Sequence, residues 1–194
     1  QDTGIVFVNP NFPLSVIKLG KIVPESAMHA SVIKRGNLIV STVEHLMAAI
    51  SSFNIDNLII EVHGLEIPIL DGSAAPFVYE INKVGILEQD AKKTFLTPRE
   101  NIYFEDKDGR CIEIIPAKSL NELNSYDTNL YFEYFADFQH PLVGKDSLAG
   151  ILDSEYFSSQ ISAARTFGFL EQLPFLRRHG LAKGTTLGNT VVIG

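Results

Sequence analysis

Ser41-Thr42-Val43-Glu44-His45-Leu46-Met47-Ala48-Ala49-Ile50 is the stretch on which the reading of this 194-residue chain turns. Leu46, Ala49, Ile50 and Phe53 recur at helical spacing, so a helix that starts near Glu44 buries one face. Immediately upstream, Val32–Lys34 and Leu38–Val40 flank Arg35-Gly36-Asn37, which reads as a hairpin feeding that helix. Downstream, Asn54-Ile55-Asp56 leads into Leu58-Ile59-Ile60-Glu61-Val62, a strand rich in β-branched residues. Strands and helices mixed in this way place the chain in the α+β class.

The Glu44-His45 pair admits two readings. In the first, Ser41 and Glu44 form the capping box S-x-x-E, the serine capping a backbone N–H and the glutamate reaching back to another. In the second, the pair is chemical. A neutral imidazole is a common zinc ligand, and a carboxylate beside it can take a proton from a metal-bound water. The positive end of the helix dipole disfavours protonated imidazole, which keeps His45 available as a ligand. A catalytic zinc takes three protein ligands, however, and one histidine is not a site.

Further along, Glu66-Ile67-Pro68-Ile69-Leu70 reads as a short extended segment. Asp71-Gly72-Ser73 then turns into a helix from about Ala74 to Val84, stopped by Gly85. The charged, non-periodic run Glu88–Lys93 is the expected domain boundary. Beyond it the strand pattern restarts at Phe95-Leu96, Asn101–Glu105 and Arg110–Ile115, with Asp106-Lys107-Asp108-Gly109 as a turn. Asn129–Asp137 is aromatic and strand-like. Asp153 or Ser154 caps a helix running to about Ala164, and a second helix runs from about Glu171 to His179. The expectation is two α+β domains, residues 1–90 and 91–194, each a sheet packed against helices, with the active groups in the cleft between them.

With 16 Lys and Arg against 23 Asp and Glu, the net charge is −7, which argues against a nucleic-acid partner. No apolar run approaches the length of a membrane span, and no signal pattern opens the chain. A cytoplasmic monomer is expected. Cys111 is the single cysteine, so no intrachain disulfide forms, and its alternating surroundings predict a half-buried strand residue. The abrupt apolar ends, near Ile5-Val6-Phe7-Val8 and at Val191-Val192-Ile193-Gly194, suggest that strands are missing before residue 1 and that a further part follows residue 194.

Among the other candidates, Arg165-Thr166-Phe167-Gly168-Phe169-Leu170 is either a buried strand with a close backbone approach at Gly168, or a pocket wall. In the second reading the Thr166 hydroxyl donates to a developing oxyanion. Lys183-Gly184-Thr185-Thr186-Leu187-Gly188-Asn189 lacks the spacing of a phosphate-binding loop. His63 and His140 read as turn residues and His179 as a helix C-terminal residue. His29 falls on an apparent strand.

Together these segments resemble the zinc-dependent UDP-3-O-acyl-N-acetylglucosamine deacetylase family of lipid A biosynthesis. The matching blocks are Ser41–Leu46, Glu66–Ile69 with Gly72-Ser73-Ala74-Ala75-Pro76-Phe77, Arg165–Phe169, and Gly180-Leu181 with the Gly184 loop, all in family order. The resemblance implies that His45 is a ligand to Zn2+ and that Glu44 is the general base. It also implies that Thr166 helps hold the tetrahedral oxyanion, with Phe167 and Phe169 as an aromatic patch beside the sugar and nucleotide. The substrate so implied is UDP-3-O-acyl-N-acetylglucosamine. The family's H-x-x-x-D ligand pair does not occur here. A catalytically incompetent fragment of the enzyme is therefore the alternative expectation.

Overall fold

The computed structural model describes residues 2–12, 15–20, 25–27, 30–93, 96, 98–116 and 130–194. His29 and Phe95, on which two sequence readings fall, lie outside these residues. The chain divides into two compact units, one of Gln1–Leu87 with Leu130–Gly194 and one of Glu88–Asn129. It mixes small sheets with helices, as the α+β reading requires.

In the first unit β1 (Ile5–Val8) is central to a three-stranded sheet. It pairs antiparallel with β2 (Val16–Lys18) and parallel with β6 (Leu58–Glu61). A second sheet is the antiparallel meander β3 (Glu25–Ala27), β4 (Ala30–Arg35) and β5 (Leu38–Ser41). Arg35 pairs with Leu38 across the two-residue turn Gly36-Asn37, where Gly36 takes φ +59°. The hairpin read from sequence is therefore present, and its turn uses the left-handed conformation that glycine adopts without steric cost. Leu38 and Val40 alternate inward and join Phe7, Ile17, Ile33, Val43, Val62 and Ile67 in one buried cluster. Both sheets thus contribute to the core that supports α1 (Glu44–Ser52), whose Leu46 and Met47 pack against it.

A second cluster joins distant parts of the chain. Ala49 of α1 packs with Ala74, with Val78 of α2 (Ala75–Val84) and with Phe157. The Ala74 N–H donates to the Ser162 carbonyl at 3.0 Å, and the Thr166 N–H to the Gly72 carbonyl at 2.7 Å. These bonds group residues 130–194 with residues 1–87, whereas the sequence reading had joined them to 91–129. Gly85 ends α2 at φ +76°, as read.

The later elements of this unit begin with β9 (Leu130–Asp137) and β10 (Lys145–Leu152), an eight-residue antiparallel ladder. Asp153 caps α3 (Ser154–Tyr156), its carboxylate accepting from the Tyr156 N–H at 2.7 Å. The helix widens into a π turn over Phe157–Ile161, so the expected helix is present but not uniformly α. β11 (Phe167–Phe169) pairs parallel with β12 (Val191–Ile193). A 3₁₀ turn, Leu170–Gln172, precedes α4 (Leu173–Arg178).

The second unit holds the hairpin of β7 (Ile102–Glu105) and β8 (Cys111–Ile114). Cys111 is exposed there, not half-buried: alternation predicts a covered face only where something packs on it, and all four residues of β8 are exposed.

Candidate catalytic site

The backbone just before α1 departs from what the sequence suggested. The capping box does not form. The N-cap is Val43, with no side-chain cap, and Ser41 belongs to β5. The Ser41 hydroxyl donates to the Leu65 carbonyl at 2.9 Å instead. Glu44 turns its Oε2 to the Ser31 N–H of β4, at 3.0 Å. Its carboxylate is therefore held by the neighbouring strand, with only part of its acceptor capacity used. His45 follows it in the first turn, half-buried like Glu44.

Thr42 lies at φ +57°. A β-branched residue in the left-handed region is a steric outlier that costs about 1–3 kcal/mol and persists only when its surroundings over-determine it. Here they do. The side chain is buried, at 8% exposure, and its hydroxyl donates to Glu66 Oε1 at 2.7 Å. Nothing in the residue pattern announces this pair, because a β-branched residue is the last type expected at positive φ.

Thr166 is fixed from both sides of its peptide. Its N–H donates to the Gly72 carbonyl at 2.7 Å, and its carbonyl accepts from the Val191 N–H at 3.0 Å. The close approach sought at Gly168 is absent: a Cβ there meets nothing within 4 Å. The approach is at Gly72, φ +87°, where a Cβ would collide with the Asn189 carbonyl. Asn189 in turn knits the polar loop, accepting from the Thr186 N–H at 2.8 Å and donating to the Gly184 carbonyl at 2.9 Å. Ser73 is fully buried, and its N–H and hydroxyl both donate to Asp71 Oδ1, so the turn read at Asp71–Ser73 is present.

Phe167 and Phe169 alternate to one face of β11 and meet edge to face, with centroids 5.9 Å apart. Phe138 packs against both, at 5.2 and 6.4 Å, and the His140 ring lies 4.6 Å from Phe169. His140 is a turn residue as read, its Nδ1 accepting from the Leu142 N–H, but it is also part of this aromatic cluster. His63 pairs with Glu61 at 2.7 Å, and His179 ends α4 stacked on Phe175.

Among the described residues no group of three or more His, Cys, Asp or Glu side chains could hold a metal ion. Among those residues His45 therefore belongs to no three-ligand group of the kind a catalytic zinc takes. No helix among the described residues is long and apolar enough to cross a membrane.

Fold and site together describe an α+β protein with a helix-borne carboxylate–imidazole pair. Its sequence matches the UDP-3-O-acyl N-acetylglycosamine deacetylase (LpxC) family over residues 1–194, and the chain belongs to that family. A UDP-3-O-acyl-N-acetylglucosamine deacetylase of Histophilus somni is 36% identical over 196 residues, covering 99% of this chain and 61% of the relative. Proteins of the same name from Brucella ovis and Brucella canis are 41% identical over 155 residues, covering 80% of this chain and 50% of each relative. The chain spans about 50–61% of the length of these curated relatives.

Proposed function

We propose that the protein carrying this sequence hydrolyses the N-acetyl group of UDP-3-O-acyl-N-acetylglucosamine, a step of lipid A biosynthesis. The observation that carries this reading is the family match along the whole chain, with relatives bearing that name at 36–41% identity. The strand-held Glu44 beside His45 supports it.

Hydrolysis needs a water oxygen to attack the amide carbonyl carbon while its proton is taken up. Glu44 accepts that proton as general base, the bond to Ser31 aiming its carboxylate. Negative charge then develops on the former carbonyl oxygen, where the Thr166 hydroxyl donates. Collapse of the tetrahedral centre breaks the C–N bond as the proton held by Glu44 passes to the leaving nitrogen, releasing acetate and the free 2-amine of the glucosamine. Phe167 and Phe169 offer apolar faces to the sugar and nucleotide end of the substrate.

Zn2+ is the cofactor in this reading, with His45 one of its ligands. The described residues do not complete a zinc site, so no step above runs through the metal. The bond from the Thr166 N–H to the Gly72 carbonyl ties the Thr166 segment to the turn before α2, within one compact unit that also carries Glu44 and His45. The protein works as a cytoplasmic monomer, without a nucleic-acid partner. Incubation of the purified protein with UDP-3-O-acyl-N-acetylglucosamine should release acetate and a primary amine in equal amounts. No release in the presence of zinc would contradict the reading.

A further inference from the structure

We propose that Thr42 and Glu66 form a positioning pair that fixes the turn carrying Glu44 and His45, an inference that rests on the deacetylase reading above. α1 has no side-chain N-cap, so the helix does not set the geometry of its own first turn. That geometry comes from the strands around it. The Ser41 N–H and hydroxyl both donate to the Leu65 carbonyl, and the Ile67 N–H donates to the Ser41 carbonyl at 3.0 Å. On the other side, the Val43 N–H reaches the Ser31 carbonyl, and the Ser31 N–H reaches Glu44.

Thr42 sits between these two sets of ties, in a conformation that glycine adopts freely and threonine resists. Glycine would remove the strain but would leave the link unpinned. Threonine brings what glycine lacks, a hydroxyl donating 2.7 Å to a carboxylate, in the shorter and stronger class of such bonds. Backbone strain at this position, held by a part-buried side-chain bond from the buried Thr42 two residues before Glu44, is preorganisation of the reacting groups. Glu66 is the partner because the chain returns here: it bridges in parallel register with Ser41, which places its side chain beside Thr42. Neither residue acts on substrate in this account; both act through Glu44 and His45.

The test uses the deacetylase assay and thermal unfolding on the same variants. Thr42→Val and Glu66→Ala should each lower kcat about 10-fold or more with KM within about twofold, because misplacing a reacting group by an ångström is enough for such losses. Thr42→Ser should retain most of the activity. The Thr42→Val/Glu66→Ala double variant should be no worse than either single, the signature of residues that act as a pair. Thr42→Gly is the decisive variant. It should unfold at the same or a higher temperature than the wild type while kcat falls, a split that a merely structural role cannot produce. Parallel loss of unfolding temperature and kcat in Thr42→Gly, or wild-type kcat in Thr42→Val, overturns the inference. With an active wild type and an inactive Glu44→Gln, that failure belongs to the positioning pair alone. An inactive wild type overturns the deacetylase reading and the inference with it.

Discussion

Thr166 and Gly72 carry the sharpest expectations at the scale of single residues. If the Thr166 hydroxyl meets the oxyanion, Thr166→Val keeps the shape and the backbone bonds to Gly72 and Val191 but loses the donor. Steady-state kinetics should then give a kcat lower by about 10–10³-fold with KM little changed, and a pure rise in KM would move Thr166 to substrate binding. Gly72→Ala is expected to cost at least about 2 kcal/mol in denaturant unfolding, since it meets both a positive φ and the Asn189 carbonyl. The contrast between Gly72 and Gly168 shows what a sequence conveys at this scale. Both are glycines beside candidate site residues, and only three-dimensional neighbours tell which one needs to lack a Cβ. Thr42 was illegible for a related reason. Its conformation is imposed by Glu66, 24 residues away, against its own preference. Glu44 and His45 were legible as a pair, but the partner of Glu44 proved to be Ser31 rather than the helix's own backbone.

Local signals served well at the scale of elements wherever one face was to be buried. The hairpin of β4 and β5, the helix after it, β6, α2 with its glycine stop, and the cap at Asp153 all follow from alternation, periodicity and turn chemistry. β10 went unread because Lys145-Asp146-Ser147 opens it with polar residues and Gly150 sits within it; its pairing with β9 makes it a strand. Asp153→Ala should remove the cap on the Tyr156 N–H and cost about 0.5–2 kcal/mol, read by denaturant unfolding. The turn between β7 and β8 carries a pH expectation. The Arg110 backbone N–H, opposed by desolvation and helped by the Asp108 N–H and the Arg110 side chain, holds the Asp106 carboxyl below its ordinary value. A lowered folded-state value means that the ionised form favours the folded turn. Its contribution is present above the ordinary carboxylate range and is lost as pH falls through the lowered value. Amide exchange at Asp108 and Arg110 should therefore show protection that weakens on acidification below that range, and Asp106→Asn should flatten the dependence.

For the whole molecule, the grouping of residues 130–194 with 1–87 rests on Phe157, Ser162 and Thr166, which bind the second half of the chain to Ala74 and Gly72. No sequence period announces such contacts, since each is a single bond or ring between remote segments. Family membership was legible because four short blocks keep their order along the chain, and the match over residues 1–194 agrees with it. The central claim is that this scaffold holds Glu44 as the general base of a deacetylase. It is tested most directly by comparing Glu44→Gln with the wild type in the protein carrying this sequence, measuring acetate release and bound zinc on the same preparations. The account predicts kcat lower by about 10²–10⁴-fold, with zinc content and unfolding temperature near those of the wild type. Turnover within a few-fold of the wild type would contradict it, leaving Glu44 only as a partner for Ser31.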